Sequence, residues 1–554
     1  MELRGIGVGR GVAIGRVVRM PDPAPVPEAT GHAGDAVAEV ARVAAALAAV
    51  ASDLRHRASR VAGPASAVLE ATAMMAEDPT LLAAVARRVE TGTAGERALA
   101  DAVEEVRSML VAVGGMTAER AADVADVGQR ALAQLLGLPV PVIPDSDEPF
   151  VLVAHDLAPA DTALLDLTRV LALVTRDGGP TSHTAILARA AGLPALVAVT
   201  GALDVEPGTL VVVDAGAGTL TVDPSQAVLA EGRARIAASV TEPSIPTPTF
   251  PAGLADGTRV ALLANVSSPA EARASAEAGA EGIGLLRTEF LFAAGPAAPG
   301  VAEQADQYRR VFEAFAGRRV VVRMLDAGSD KPLPYLSGAG LEANPALGVR
   351  GLRALRAHEA VLRDQLTAVR EASQTSAAEV AVMAPMVTDA DEAAWFVSLA
   401  REHGFGSAGV MAEVPSLALV ADAVMEVVDF VSVGTNDLTQ YTVAADRTVA
   451  SLAPYQDPWH PAVLRLVGML GEAGERAGVP VGVCGEAAAD PRLAVVLVGL
   501  GATSLSMAAP ALGEVRAVLA EVSLAEAREW ARVALGAGTA ARARAAVTER
   551  IARS

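Results

Sequence analysis

The run Val170-Leu171-Ala172-Leu173-Val174 leads into Gly178-Gly179-Pro180-Thr181-Ser182-His183-Thr184-Ala185-Ile186-Leu187-Ala188-Arg189. The first part reads as a buried strand. The Ala-, Ile- and Leu-rich part from Ala185 to Ala191 reads as a helix, with a glycine-rich turn between them. A strand, a tight turn and a helix in that order make an α/β unit. His183 falls where the helix begins. A helix N-terminus presents free backbone N–H groups and the positive end of a dipole, which suits an anion. A neutral imidazole in that place can attack phosphorus, and the same donors can hold the phosphate it gains. A lone histidine is more often a polar turn residue. Two glycines and the hydroxyls of Thr181, Ser182 and Thr184 around it favour the functional reading.

Working outward, the segment Gly5–Val18 reads as strand, and Val151–Val153, Leu196–Val199 and Leu210–Val213 read as further strands beside Val170–Val174. From about Asp35 to Gly137 the pattern is Ala, Leu and Val at helical spacing, which predicts a bundle of four or so helices. Within it, Asp78 is placed to cap a helix that starts at Pro79. The organisation expected is an α/β domain from residues 1–27 and 138–226, interrupted by a helical insertion over 28–137. A proline-marked linker follows over 227–252, densest at PSIPTPTFPAG.

The remainder, 253–554, contains eight short apolar runs with helical patterns between most of them. They are Val260–Ala264, Gly282–Leu286, Val320–Leu325, Val380–Ala384, Gly409–Glu413, Phe430–Gly434, Val479–Cys484 and Ser504–Met507. Eight strands alternating with helices predict a parallel (β/α)8 TIM barrel, with a doubly wound sheet as the competing architecture. In such a barrel the chemistry sits at the C-terminal strand ends. Those ends carry Arg287, Arg323, Glu413, Asn436 with Asp437, and Cys484, while Arg447 lies in the loop after the sixth run. Any one arginine is ordinarily a surface ion-pair partner, and one cysteine is ordinarily a small buried apolar residue. Together they point to a phosphorylated acid. Guanidiniums match phosphate and carboxylate oxygens, and two carboxylates, Glu413 and Asp437, suit Mg²⁺.

Bulk properties narrow the class. The chain has 554 residues and a formal net charge of −20, which argues against nucleic acid as a partner. It admits a basic protein partner. No run of eighteen or more uncharged apolar residues occurs, so no membrane insertion is expected. The start, MELRGIGVGRGVAIGRVV, lacks the apolar block of a signal peptide, and the single cysteine fits a reducing compartment. A cytoplasmic location is the expectation.

These residues resemble the enzyme I family of bacterial phosphotransferase systems, the phosphoenolpyruvate–protein phosphotransferases. Gly178–Arg189 is similar to the family's phosphohistidine signature. Gly434-Thr435-Asn436-Asp437-Leu438-Thr439-Gln440-Tyr441, with Asp446-Arg447 after it, is similar to its second signature. Gly282–Phe290, Arg323–Pro332, Gly409–Pro415 and Cys484-Gly485-Glu486 also fit, and Glu119–Val124 resembles a segment of the helical insertion. The resemblance implies that His183 is phosphorylated on its Nε2 nitrogen. It implies that Arg287, Arg323, Asn436, Asp437 and Arg447 hold phosphoenolpyruvate, that Glu413 and Asp437 ligate Mg²⁺, and that Cys484 is the proton donor. It further implies transfer to the carrier HPr docked on the insertion, and a homodimer formed through the barrel. The chain resembles the plain sugar-system form.

The chain departs from the family pattern in places. The loop after Phe292 reads AAGPAAPGVAEQ, Ala343, Ala346 and Val349 replace larger or charged residues, and Pro180 stands where a polar residue is common. Two other readings are weighed. Phosphoenolpyruvate synthase and pyruvate phosphate dikinase share both modules, but they need an ATP-binding domain, and no P-loop is present. A non-catalytic relative that only binds partners is the other.

Overall fold

The computed structural model describes the chain apart from residues 10, 29–30, 32–34, 61–63, 114, 145, 147, 163–164, 167, 180–182, 242–251, 293–296, 329–332, 334, 337–341, 343, 448 and 552–554. It divides into two compact units, the first Met1–Pro243 and the second Ser244–Arg447 with Leu452–Ser554.

The first unit is built on an eight-stranded sheet among the described residues. Its strands are β1 (Glu2–Arg4), β2 (Ile6–Val8), β3 (Val12–Arg19), β4 (Phe150–Ala154), β5 (Val170–Thr175), β6 (Ala195–Val197), β7 (Leu210–Asp214) and β8 (Thr219–Val222). The spatial order is β1-β8-β7-β3-β4-β5-β6-β2. The central strands β3 to β6 run parallel, and the outer pairs are antiparallel. The expected single strand Gly5–Val18 is therefore two strands, β2 at one edge of the sheet and β3 inside it. Gly9 and Gly11 take φ of 71° and 104°, a region open to glycine, and break the run. β4 and the inner part of β5 are buried throughout, as the continuous Val/Leu/Ala runs require.

Between β3 and β4 the described residues form five helices, α1 (Ala36–Ala58), α2 (Pro64–Ala76), α3 (Pro79–Glu90), α4 (Gly95–Val113) and α5 (Gly115–Leu136). Val43, Leu47, Leu54, Leu99, Val127 and Leu132 share one core. Asp78 caps α3 by accepting from the Thr80 amide at 2.8 Å, with Pro79 in the first turn. A cap of this kind contributes about 1 kcal/mol. Buried Arg130 on α5 donates to Asp126 at 2.8 Å and to Asp161 at 2.6 Å. Asp161 belongs to the short helix α6 (Pro159–Thr162), so this trio fastens the bundle to the α/β layer. The sheet then carries α7 (His183–Ala191) and α8 (Gln226–Thr241). Most of the segment expected as the start of the linker is α8, which packs on β3: a side chain at Gly232 would meet Ile14 at 3.0 Å. Residues 242–251 of the expected linker lie outside the described residues.

The second unit is a closed barrel of eight strands. They are β9 (Ala261–Val266), β10 (Gly282–Leu286), β11 (Arg319–Arg323), β12 (Glu379–Ala384), β13 (Ala408–Ala412), β14 (Val431–Gly434), β15 (Val481–Cys484) and β16 (Ser504–Met507). Every neighbouring pair is parallel, and β16 closes on β9. The main core lies between strands and outer helices and includes Leu262, Ile283, Val322, Phe396 and Val433. A smaller cluster of Val321, Ala381, Met383, Met411, Phe430 and Cys484, with Leu285, forms apart from that main core. Among the described residues no helix is long and apolar enough to cross a membrane.

Candidate active site

Each strand-end residue singled out above sits where the barrel's register delivers it. Arg287 follows β10, Arg323 ends β11, Glu413 follows β13 and Cys484 ends β15. Asn436 and Asp437 are in the first turn of the helix Thr435–Val443, which begins directly after β14. Arg447 lies beyond that helix, its backbone N–H held by Gln440 Oε1 at 2.9 Å. Arg287, Arg323, Glu413, Asn436, Asp437, Arg447 and Cys484 all line one cavity of about 390 Å³.

The cavity is charged, and several of its charged side chains are buried. Arg323 is 7% exposed and Glu413 1%. Arg323 pairs with Glu289 at 2.5 Å and with Asp326 at 3.2 Å. Arg350 bridges Asp326 at 3.0 Å and Asp437 at 3.3 Å. Arg447 lies 3.6 Å from the other oxygen of Asp437. Glu413 Oε1 accepts from the Met386 amide at 2.8 Å. Burial opposes the charge on Arg323, yet Glu289, Asp326 and Glu413 together hold its pKa above the ordinary value. Burial, with Asp326 and Asp437 close by, pushes the Glu413 carboxyl up to about 8. Burial also pushes the Cys484 thiol up to about 11, against the hydrogen bond from Ser432, so it stays protonated at neutral pH.

The donor set fits a magnesium ion. Glu413 and Asp437 are hard carboxylates lining one cavity, with Asp326 in the same lining. Among the described residues no cluster of three or more His, Cys, Asp or Glu could cage a metal by itself. Magnesium commonly takes one or two carboxylates and completes its shell from water and substrate.

Several residues of this cavity escaped the sequence reading. Asp326 stands three residues beyond the end of β11, and Glu289 two beyond Arg287; position just past a strand end was their signal. Arg350, which does not line the cavity but pairs with its carboxylates Asp326 and Asp437, comes from the long connection between β11 and β12 and carried no signal. In the first unit, His183 is the first residue of α7. Its side chain, and residues 180–182, lie outside the described residues. The next residue, buried Thr184, donates to Asp156 Oδ1 at 2.8 Å and ties the start of α7 to the loop after β4. Asp156 was not singled out in the sequence.

Family models match along the chain. The PEP-utilising enzyme N-terminal model covers residues 4–120, its mobile-domain model 146–218, and its PEP-binding-domain model 244–524. A phosphoenolpyruvate-protein phosphotransferase of Streptomyces coelicolor is 52% identical over 98% of this chain and 98% of its own. A multiphosphoryl transfer protein of Rhodobacter capsulatus is 40% identical over 89% of this chain and 60% of its own length. A solution structure of an Enzyme I protein aligns with 43% of this chain and 99% of its own, at 29% identity and a TM-score of 0.39. With the barrel, its charged mouth and near full-length similarity in hand, the chain belongs to the phosphoenolpyruvate–protein phosphotransferase family, the enzyme I proteins of the phosphotransferase system.

Proposed function

We propose that this enzyme takes the phosphoryl group of phosphoenolpyruvate onto His183 and passes it to the carrier HPr, the first step of a sugar phosphotransferase system. The observation that carries this reading is the joint lining of one cavity by Arg287, Arg323, Arg447, Glu413, Asp437 and Cys484. Arginines at the mouth bind the phosphate and carboxylate of the substrate, with Asn436 and Asp437 orienting it. Phosphoryl transfer spreads charge over the equatorial oxygens, and fixed guanidiniums oppose that charge without reorganising. His183 attacks phosphorus as the neutral ring, and pyruvate leaves as its enolate. Cys484, held protonated by burial, then delivers a proton to the enolate carbon. Mg²⁺ held by Glu413 and Asp437 would supply Lewis-acid stabilisation of the phosphate and enolate oxygens.

The nucleophile and the cavity belong to different compact units, so in this reading the phosphoryl group passes from one unit to the other. The helical bundle α1–α5 is the docking surface for HPr in this reading, the barrel forms the homodimer, and the protein works in the cytoplasm. Reconstitution tests it. Purified protein, phosphoenolpyruvate, Mg²⁺ and HPr should give phosphorylated HPr, and His183→Ala should give none. HPr phosphorylated equally well by the alanine variant would refute the assignment.

A further inference from the structure

One hydrogen bond inside the barrel links the linings of two cavities. Cys484 lines the upper cavity, where the substrate is read to bind. Ser432, two residues before the end of β14, donates from Oγ to Cys484 Sγ at 3.1 Å. The thiol's own contact as a donor is the Val433 carbonyl, at 3.5 Å. Ser432 is itself buried, and it lines a second cavity of about 380 Å³ at the opposite, N-terminal ends of the strands.

That second cavity departs from the usual barrel interior. Barrels of this type are ordinarily filled by layers of bulky branched side chains. Here Gly284, Gly482, Ser504 and Ser506 line the cavity beside Ser432. Gly284 has no room to be anything larger, since a β-carbon there would lie 2.6 Å from Ser506 Oγ. The lining on the other side, Val321 and Phe430, is apolar. A lane of small and hydroxyl-bearing residues thus leads toward the thiol, and the cavity reaches exposed Arg259 and Glu379 at its outer end. Its volume is many times the roughly 30 Å³ that one water occupies, and its lining offers the polar partners that water needs.

We propose that Ser432 relays protons between water in this lower cavity and Cys484, so that the thiol is recharged from the end of the barrel opposite the substrate. The inference rests on the reading of Cys484 as the acid. After Cys484 S–H gives its proton to the enolate carbon, the thiolate takes the proton of the Ser432 hydroxyl. Ser432 Oγ takes one from a cavity water in the same movement, and the hydroxide left is neutralised by a solvent proton. One solvent proton enters for each pyruvate formed, and no group changes oxidation state. In reverse, the proton taken from the methyl group of pyruvate leaves by the same route. A hydroxyl suits this task because it donates and accepts at once. The high basicity that burial gives the thiolate drives the recharging. Ser432 acts through Cys484 and does not touch the substrate.

The test compares two exchanges in one reaction mixture. Wild-type enzyme, phosphoenolpyruvate, Mg²⁺ and carbon-labelled pyruvate are incubated in deuterium oxide. Carbon exchange between pyruvate and phosphoenolpyruvate reports the chemical steps, and deuterium entering the methyl group of pyruvate reports recharging of the thiol from solvent. Ser432→Ala should lower the ratio of deuterium entry to carbon exchange at least about ten-fold, less than the hundred- to ten-thousand-fold that a positioned acid contributes directly. Ser432→Thr keeps the hydroxyl and should restore the ratio. An unchanged ratio in Ser432→Ala, including a parallel fall of both exchanges, overturns the relay. So does a threonine variant that behaves as the alanine one. Cys484→Ala is the separate arm: wild-type rates there remove the acid assignment and the relay with it, whereas loss there with an unchanged ratio in Ser432→Ala removes the relay alone.

Discussion

Arg350 Nη1 donates to Asp437 Oδ1 across 3.3 Å, and both side chains are almost sealed from solvent. The same guanidinium holds Asp326 at 3.0 Å, so one cation from the long β11–β12 connection spans two carboxylates under the cavity. Removing one partner from a buried ion pair costs about 3–5 kcal/mol, and the low end of that range applies here because Arg323 still pairs with Asp326 and Arg447 stands 3.6 Å from Asp437. Arg350→Met should therefore lower the unfolding free energy of the barrel by about that amount. Denaturant titration followed by circular dichroism measures it, and a change under about 1 kcal/mol would speak against a structural role for the pair.

Cys484 should behave as a slow nucleophile and a good acid. Burial favours the neutral thiol and raises its pKa to about 11, so the thiolate fraction grows only at strongly alkaline pH. Alkylation by iodoacetamide at pH ~8 should run roughly a hundred-fold slower than for an unperturbed cysteine and accelerate as pH rises. Cys484→Ala should slow pyruvate formation by roughly a hundred- to ten-thousand-fold while KM for phosphoenolpyruvate changes little. An alkylation rate equal to that of free cysteine would contradict the buried, protonated state.

Magnesium binding should release protons. With its pKa pushed up to about 8, first by burial and then by Asp326 and Asp437, Glu413 is mostly protonated at pH ~7 and must ionise to ligate a cation. Affinity should rise as pH increases toward and past that value, and fall below it. Calorimetry in two buffers of different ionisation enthalpy should show about one proton released per ion near neutrality. Binding without proton release would place the metal elsewhere.

Gly485 should tolerate no side chain. Its φ is 141°, and a β-carbon there would fall 2.3 Å from Thr435 Oγ1 and 3.4 Å from Asn436 Oδ1. Gly485→Ala should displace the turn that joins Cys484 to Glu486, whose amide reaches Asn436 at 3.3 Å. Strained backbone of this kind costs of the order of 1–3 kcal/mol. The expected result is a raised KM and lowered kcat with the far-ultraviolet spectrum intact; wild-type kinetics would show that the turn has slack.

The barrel was legible because its strands are short, mostly apolar runs, several of which stop at a polar residue such as Arg287, Arg323 or Glu413. Runs such as Gly282–Leu286 and Ser504–Met507 coincide with β10 and β16, and the others differ at an end by one or two residues. Asp78 and Pro79 announced a helix start through cap chemistry that is local in sequence. Three features were not legible for physical reasons. Gly9 and Gly11 break an alternating run that pattern alone reads as one strand. Helix α8 lacks a clear apolar stripe and sits beside a proline-rich stretch, so it read as linker. Arg350 reaches the cavity carboxylate Asp437 from a connection between strands, by tertiary placement that no spacing rule encodes.

The most direct test of the central claim is the site of phosphorylation. Wild-type protein incubated with labelled phosphoenolpyruvate and Mg²⁺, without ATP, should gain one acid-labile, alkali-stable phosphate per chain, mapped by peptide mass spectrometry to His183. A protein that stays unlabelled, or that carries the label anywhere other than His183, would contradict the account.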